Sequence, residues 1–126
     1  MTHVTPQTAA ALKAAGFPQP MQTPAVGQVW YDTAGTPYHI TAADGERCDY
    51  VVGEALFIDR YLFNEVFAPT AEDILRAMPG ISARYDAVKK AFVCEIAGVW
   101  GAWGKSHHES LPEALALAYL NAHTPK

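Results

Sequence analysis

No stretch constrains the fold more than Lys90 to Lys105, where two strand-like runs meet at a glycine and lead straight toward the best-signalled helix start in the chain. Turning at Ala97-Gly98, this stretch predicts Phe92 opposite Trp103, Cys94 opposite Gly101 and Ile96 opposite Val99 on one face. Val93 with Ala102 and Glu95 with Trp100 then face the other way. The first face is apolar throughout and the second mixed, as in an antiparallel sheet covered by helices on one side. Gly101 and Gly104 leave room for a bulge, and a slip of one residue would exchange the faces.

A chain of 126 residues fits one domain, 1–126, and is long enough to enclose a real core. Half its residues are hydrophobic and 17% charged, a balance that argues against disorder. The net charge of −4, without a lysine or arginine cluster, argues against nucleic acid and against a membrane surface as partners. Cys48 and Cys94 lie far apart and show no ligand spacing. Both read as small buried hydrophobes, which suits a reducing, cytoplasmic location. No apolar run suits a signal peptide or approaches the ~20 residues of a membrane span.

In chain order, Thr5-Pro6 reads as a helix cap followed by proline at the first helical position. A short helix over Gln7 to Ala15 follows, with Gly16 ending it and Phe17 packing back. The prolines between Phe17 and Pro24 predict an extended connector. Val26 to Tyr31, Tyr38 to Thr41 and Arg47 to Val52 read as three strands of a meander, with turns at Asp32–Pro37 and Ala42–Gly45. Leu56 to Phe67 is dense in apolar residues and reads as core, with helix and strand both open. Thr70 caps a helix that buries Ile74, Leu75 and Met78 and stops at Pro79-Gly80. For Ile81 to Ala91, helix and strand again remain open. Ser110-Leu111-Pro112-Glu113 predicts a capping box, with Ser110 and Glu113 serving each other's amides. The helix beyond presents Leu111, Leu115, Ala118, Tyr119 and Ala122 on one side. The expected class is α+β: a small antiparallel sheet, meander plus C-terminal hairpin, packed with about three helices.

Three constellations invite chemistry. Gly98 to Gly104 with Lys105-Ser106 resembles a phosphate loop, but five residues separate the glycines where four are required, and two of them are tryptophans. His107-His108-Glu109 reads as a polar loop ahead of a helix. Adjacent histidines do not face one metal ion, and no histidine pair has the i, i+4 spacing of helix ligands, so no metal, cofactor or catalytic residue is assigned. A general base at His107 or His108 is the alternative. Ser106 and Ser110 lack a nucleophile elbow. Trp100 and Trp103, without a basic stripe, suit a core or a protein interface better than base stacking.

Leu12-Lys13-Ala14-Ala15-Gly16-Phe17-Pro18-Gln19, Phe67-Ala68-Pro69-Thr70-Ala71-Glu72-Asp73-Ile74-Leu75, Trp103 and Glu113 to Leu120, in that order, resemble a group of small bacteriophage and prophage proteins without an assigned activity. The resemblance implies a setting in which small proteins bind host or viral macromolecules, and it transfers no catalytic role. The expectation is therefore a noncatalytic protein-binding module, or a homo-oligomer, with Trp100, Trp103, His107 and His108 as candidate binding residues. The alternative is a small enzyme, ligand binder or metal binder built on the His107-His108 loop.

Overall fold

The computed structural model describes residues 3–20, 24–62, 64–78, 80–97 and 103–123. Among the described residues are three helices, α1 (Pro6–Ala14), α2 (Ala71–Ala77) and α3 (Leu111–His123), and eight strands. β1 (Val29–Tyr31), β2 (Pro37–Asp44), β3 (Arg47–Val52), β4 (Ala55–Tyr61) and β5 (Val66–Ala68) form one antiparallel sheet in the order β4-β3-β2-β1-β5. β6 (Ser82–Asp86), β7 (Ala91–Ala97) and β8 (Trp103–His108) form a second. The class is α+β, as the sequence predicts.

Local signals account for the ends of α1. The Thr5 hydroxyl accepts from the amide of Thr8, and Pro6 follows. At the other end Gly16 adopts φ +90°, which releases paired bonds from the Gly16 amide to the Lys13 carbonyl and from the Phe17 amide to the Leu12 carbonyl. Phe17 is thereby aimed inward and meets the ring of Tyr119 edge-on at 5.3 Å. α2 begins with a reciprocal cap: the Thr70 hydroxyl takes the Asp73 amide, and the Asp73 carboxylate takes the Thr70 amide. Thr70→Ala is expected to cost about 1 kcal/mol, read as a lowered urea midpoint with unchanged slope.

The main core lies between the sheets. Val4, Leu12, Phe17, Val29, Tyr31, Ala68, Ile74, Cys94, Leu115 and Tyr119 belong to one buried cluster that draws on all three helices and both sheets. A second cluster, Trp30, Ile40, Cys48 and Phe67 with Tyr38, Tyr50 and Leu62 against it, sits on the other face of the five-stranded sheet. Every member comes from that sheet or the segment leaving it, so the sheet buries this face by coiling on itself.

Several sequence expectations are corrected. Phe92 pairs with His108 rather than Trp103, a displacement of five positions, and Ala97 pairs with Trp103 instead of forming the turn. An odd displacement moves β8 residues to the opposite face from the one assigned. The residues joining the two strands, 98–102, lie outside those described, as do Phe63 and Pro79. The first strand is shorter, and Val26 is exposed. Leu56 to Phe67 is neither one element nor all core, because it holds β4 and β5 with a bend between them. Leu75 is 42% exposed, whereas Ile74 is fully buried. The open question over Ile81 to Ala91 resolves as a strand and a turn, with Asp86 accepting from the amides of Val88 and Lys89.

The capping box at Ser110 is replaced by longer-range contacts. Glu113 reaches α1 instead: Oε1 accepts from the Thr5 amide at 2.6 Å and Oε2 from the Thr8 hydroxyl at 2.7 Å. The Ser110 amide donates to His108 Nδ1 at 2.9 Å. Ser110 Oγ is buried without a hydrogen-bond partner among the described residues. The carboxylate thus joins the starts of two helices, where backbone donors are in excess.

Candidate functional site

Strands β2, β3 and β4 carry the five-stranded sheet beyond its helical cover. Two short turns build this end, Gly45-Glu46 between β2 and β3 and Gly53-Glu54 between β3 and β4. Each glycine sits first with φ +61°, the backbone that a tight hairpin requires. β4 then closes the sheet on one side.

The two faces of this end differ. On the inner face Trp30 meets Phe67 at 5.5 Å, Tyr38 stacks on Tyr50 at 4.8 Å, Tyr50 meets Phe57 at 5.4 Å, and the Arg60 guanidinium lies over Phe57 at 5.6 Å. Aromatic residues from all five strands form one row, buried at the β5 end and half-buried toward β4. Burial pushes the Tyr38 and Tyr50 hydroxyls above their ordinary value. The nearby carboxylates add to this, Asp32 and Glu65 at Tyr38 and Glu65 at Tyr50.

The outer face is bare. Leu56 and Ile58, two apart on β4, are 58% and 62% exposed, and Tyr61 follows them into solvent. Asp59 adopts φ +58° and shifts the register, so that Phe57 pairs with Tyr50 while Arg60 pairs with Cys48. The Asp59 amide donates to Asp49 Oδ1 at 2.9 Å, and its carboxylate holds Arg47 at 3.0 Å. Arg47 also donates to the Tyr61 hydroxyl at 2.8 Å. Both ends of the Arg47–Asp59 pair are solvated, so it contributes little to stability.

Two concavities lined by described residues adjoin this sheet. One of about 160 Å³ is shallow and lies beside Asp44, Arg47, Cys48, Asp49 and Asp59. The other, about 390 Å³, lies between α1 and the β1–β2 turn, against Pro6, Ala10, Tyr31, Asp32 and Gly35. Its size suits a small ligand, but its two titratable groups, Tyr31 and Asp32, are already engaged. The Tyr31 hydroxyl donates to the Val4 carbonyl, and Asp32 accepts from the Ala34 and Thr36 amides, which holds its carboxyl below the usual range. Among the described residues no three His, Cys, Asp or Glu side chains are grouped to hold a metal ion.

The residues singled out from sequence do not converge here. Trp100 lies outside the described residues, and Trp103 and His107 are placed as backbone positions of β8. His107 and His108 belong to a strand rather than a loop, and consecutive strand positions fall on opposite faces. The His108 ring is exposed but used locally, accepting from Ser110. His123 stacks on Tyr119 at 4.1 Å, in the last turn of α3. Conversely, Leu56, Ile58 and Tyr61 read as core in the sequence. The available signals were Gly53-Glu54, which ends one strand and begins another, and Asp59-Arg60, which interrupts the apolar run.

Cys48 and Cys94 are buried and unpaired by disulfide. Burial pushes the Cys94 thiol up to about 11. The Cys48 thiol is raised by burial and then by Asp49 and Glu65. Both thiols are buried and held in the neutral form, so neither cysteine is expected to react with a disulfide reagent until the chain opens. Two thiols should appear on unfolding. The sign with pH follows. A folded-state value above the unfolded one favours the neutral thiol in the fold, and stability is complete below about pH 9 and lost as pH rises through 11. The raised Tyr31, Tyr38, Tyr50 and Tyr119 act in the same direction. Urea midpoints at pH 8, 9.5 and 10.5 should fall in that order.

No family model, curated protein or solved structure matches the chain. No helix among the described residues is long and apolar enough to cross a membrane.

Proposed function

We propose that the chain is a noncatalytic protein-binding module, of the accessory kind its resemblance to phage and prophage proteins suggests. It acts through the exposed apolar and aromatic surface of β3 and β4. The observation that supports this reading is the pairing of Leu56 and Ile58, both more than half exposed, on a strand whose outer face no described element covers. Isolated exposed leucines are ordinary, but adjacent ones on a bare sheet face are the usual composition of a protein contact. Of the carboxylates near them, Asp49 accepts from the Asp59 amide and Asp59 holds Arg47, which suits recognition better than proton transfer.

The test is affinity capture from a lysate of the cells that make the protein, comparing the natural chain with Leu56→Ser/Ile58→Ser. Because both side chains are exposed, the double variant should fold normally. A partner retained by the natural chain and lost by the variant supports the reading. Equal recovery on both rejects this surface.

A further inference from the structure

We infer that two copies of the chain join edge to edge through β6, antiparallel, with Tyr85 opposite its own counterpart and Arg84 opposite Asp86 of the second copy. The contact lies apart from Leu56 and Ile58 and is independent of the reading above. β6 ends the three-stranded sheet, and among the described residues it pairs with β7 alone. α3 packs against β7 and β8, while Ser82 to Tyr85 remain exposed, Tyr85 at 56%. A terminal strand has backbone donors and acceptors turned outward, a template for one more strand.

Register selects the occupant. In a sheet continued across a two-fold axis every residue keeps its face, so opposed residues differ by an even number of positions. An alignment centred on Arg84 sets that guanidinium against its own counterpart, and one centred on Asp86 sets two carboxylates together. Centring on Ala83 leaves Arg84 opposite Ser82. Centring on Tyr85 pairs unlike charges, and the two-fold does so twice, with the tyrosines meeting on the other face. Cross-strand ion pairs and aromatic pairs both favour such a ladder. Like charges on an edge strand keep copies apart, whereas opposite charges two positions apart complement themselves. Within one chain Arg84 and Asp86 approach only to 3.9 Å. Asp86 accepts from the Val88 and Lys89 amides through Oδ1, which leaves Oδ2 for the second copy's Arg84. Tyr85 is held edge-on to Phe92 at 5.2 Å and still presents more than half its surface.

The test is sedimentation velocity of the full chain from 2 to 200 μM. Monomer should pass to dimer over this range, since so small a contact is at the weak end of protein interfaces. The dimer should weaken about threefold between 50 and 300 mM NaCl, and amide shifts that grow with concentration should centre on Ser82 to Asp86. Arg84→Glu gives one copy two negative positions and Asp86→Lys gives one copy two positive positions, so each should be monomeric alone at 200 μM. An equimolar mixture should dimerise again, because two unlike pairs are restored. Asp86 also serves the turn, so if Asp86→Lys does not fold by circular dichroism, the comparison is Arg84→Gln, which should weaken the dimer about threefold, with Arg84→Glu, which should weaken it at least tenfold. A natural chain monomeric at 200 μM, a dimer unmoved by Arg84→Glu, equal effects of the two Arg84 changes, a mixture no more associated than its parts, or shifts centred on Ala55 to Ile58 would overturn the inference. Arg84→Glu should leave capture of a partner through Leu56 and Ile58 unchanged, so loss of the dimer and loss of that binding are separately visible.

Discussion

Glu113→Ala is expected to lower stability by about 3 kcal/mol in urea unfolding monitored by far-ultraviolet circular dichroism. The side chain is 5% exposed and accepts from the Thr5 amide and the Thr8 hydroxyl. Hydrogen bonds to a charged group contribute about 1.5–3 kcal/mol each, and removing the acceptor leaves two donors poorly solvated. A further few tenths of a kcal/mol come from losing a negative charge in the first turn of α3. Glu113→Gln keeps the shape and one good acceptor, and about half the loss is expected. Thr8→Val tests the other end of the contact. If Glu113 acts through α1, the double change Glu113→Ala with Thr8→Val should cost less than the sum of the two single changes. Strict additivity would mean that the contact contributes nothing.

Leu115→Ala should cost about 3–4 kcal/mol. Leu115 is fully buried in the cluster that joins the three helices to both sheets. Truncation therefore removes apolar burial and leaves a cavity in the cluster that the surrounding elements have to collapse into. Leu75→Ala is the control. It sits on α2 beside fully buried Ile74 but is 42% exposed, and its truncation is expected to change stability by about 0.5 kcal/mol or less. A large Leu75 effect, or a small Leu115 effect, would mean that the two helix faces are assigned wrongly.

These two helices show how far local chemistry carries. Thr5-Pro6 and Gly16-Phe17 bound α1, and Thr70 with Asp73 opens α2, because each signal involves only residues within a turn of one another. The turn at Gly45 and strand β3 were legible for the same reason. The sequence places Ser110 and Glu113 at the start of α3 correctly but pairs them wrongly. A carboxylate has a choice of donors, and the Thr5 amide, 108 residues away in sequence, is presented to it only once α1 packs on α3.

The surface proposed for binding was less legible. Trp100, Trp103, His107 and His108 attracted attention by residue type, whereas Leu56, Ile58 and Tyr61 looked like core because apolar residues dominate their run. Hydrophobicity says that a side chain gains by leaving water, not that an element exists to cover it. The helices cover the β1 and β5 part of the sheet and leave β4 bare, a matter of sheet order that no window of sequence contains.

From its residues alone this chain was bound to form capped short helices, a meander turned at glycines and a paired ribbon ending in β8, because those features depend on backbone preferences and near neighbours. Tertiary packing decided the register of that ribbon, the partner of Glu113, the coiling that encloses Trp30 and Phe67, and the exposure of β4. Each of these depends on which surfaces compete for burial after the chain has folded back on itself, and side chains far apart in sequence settle that competition.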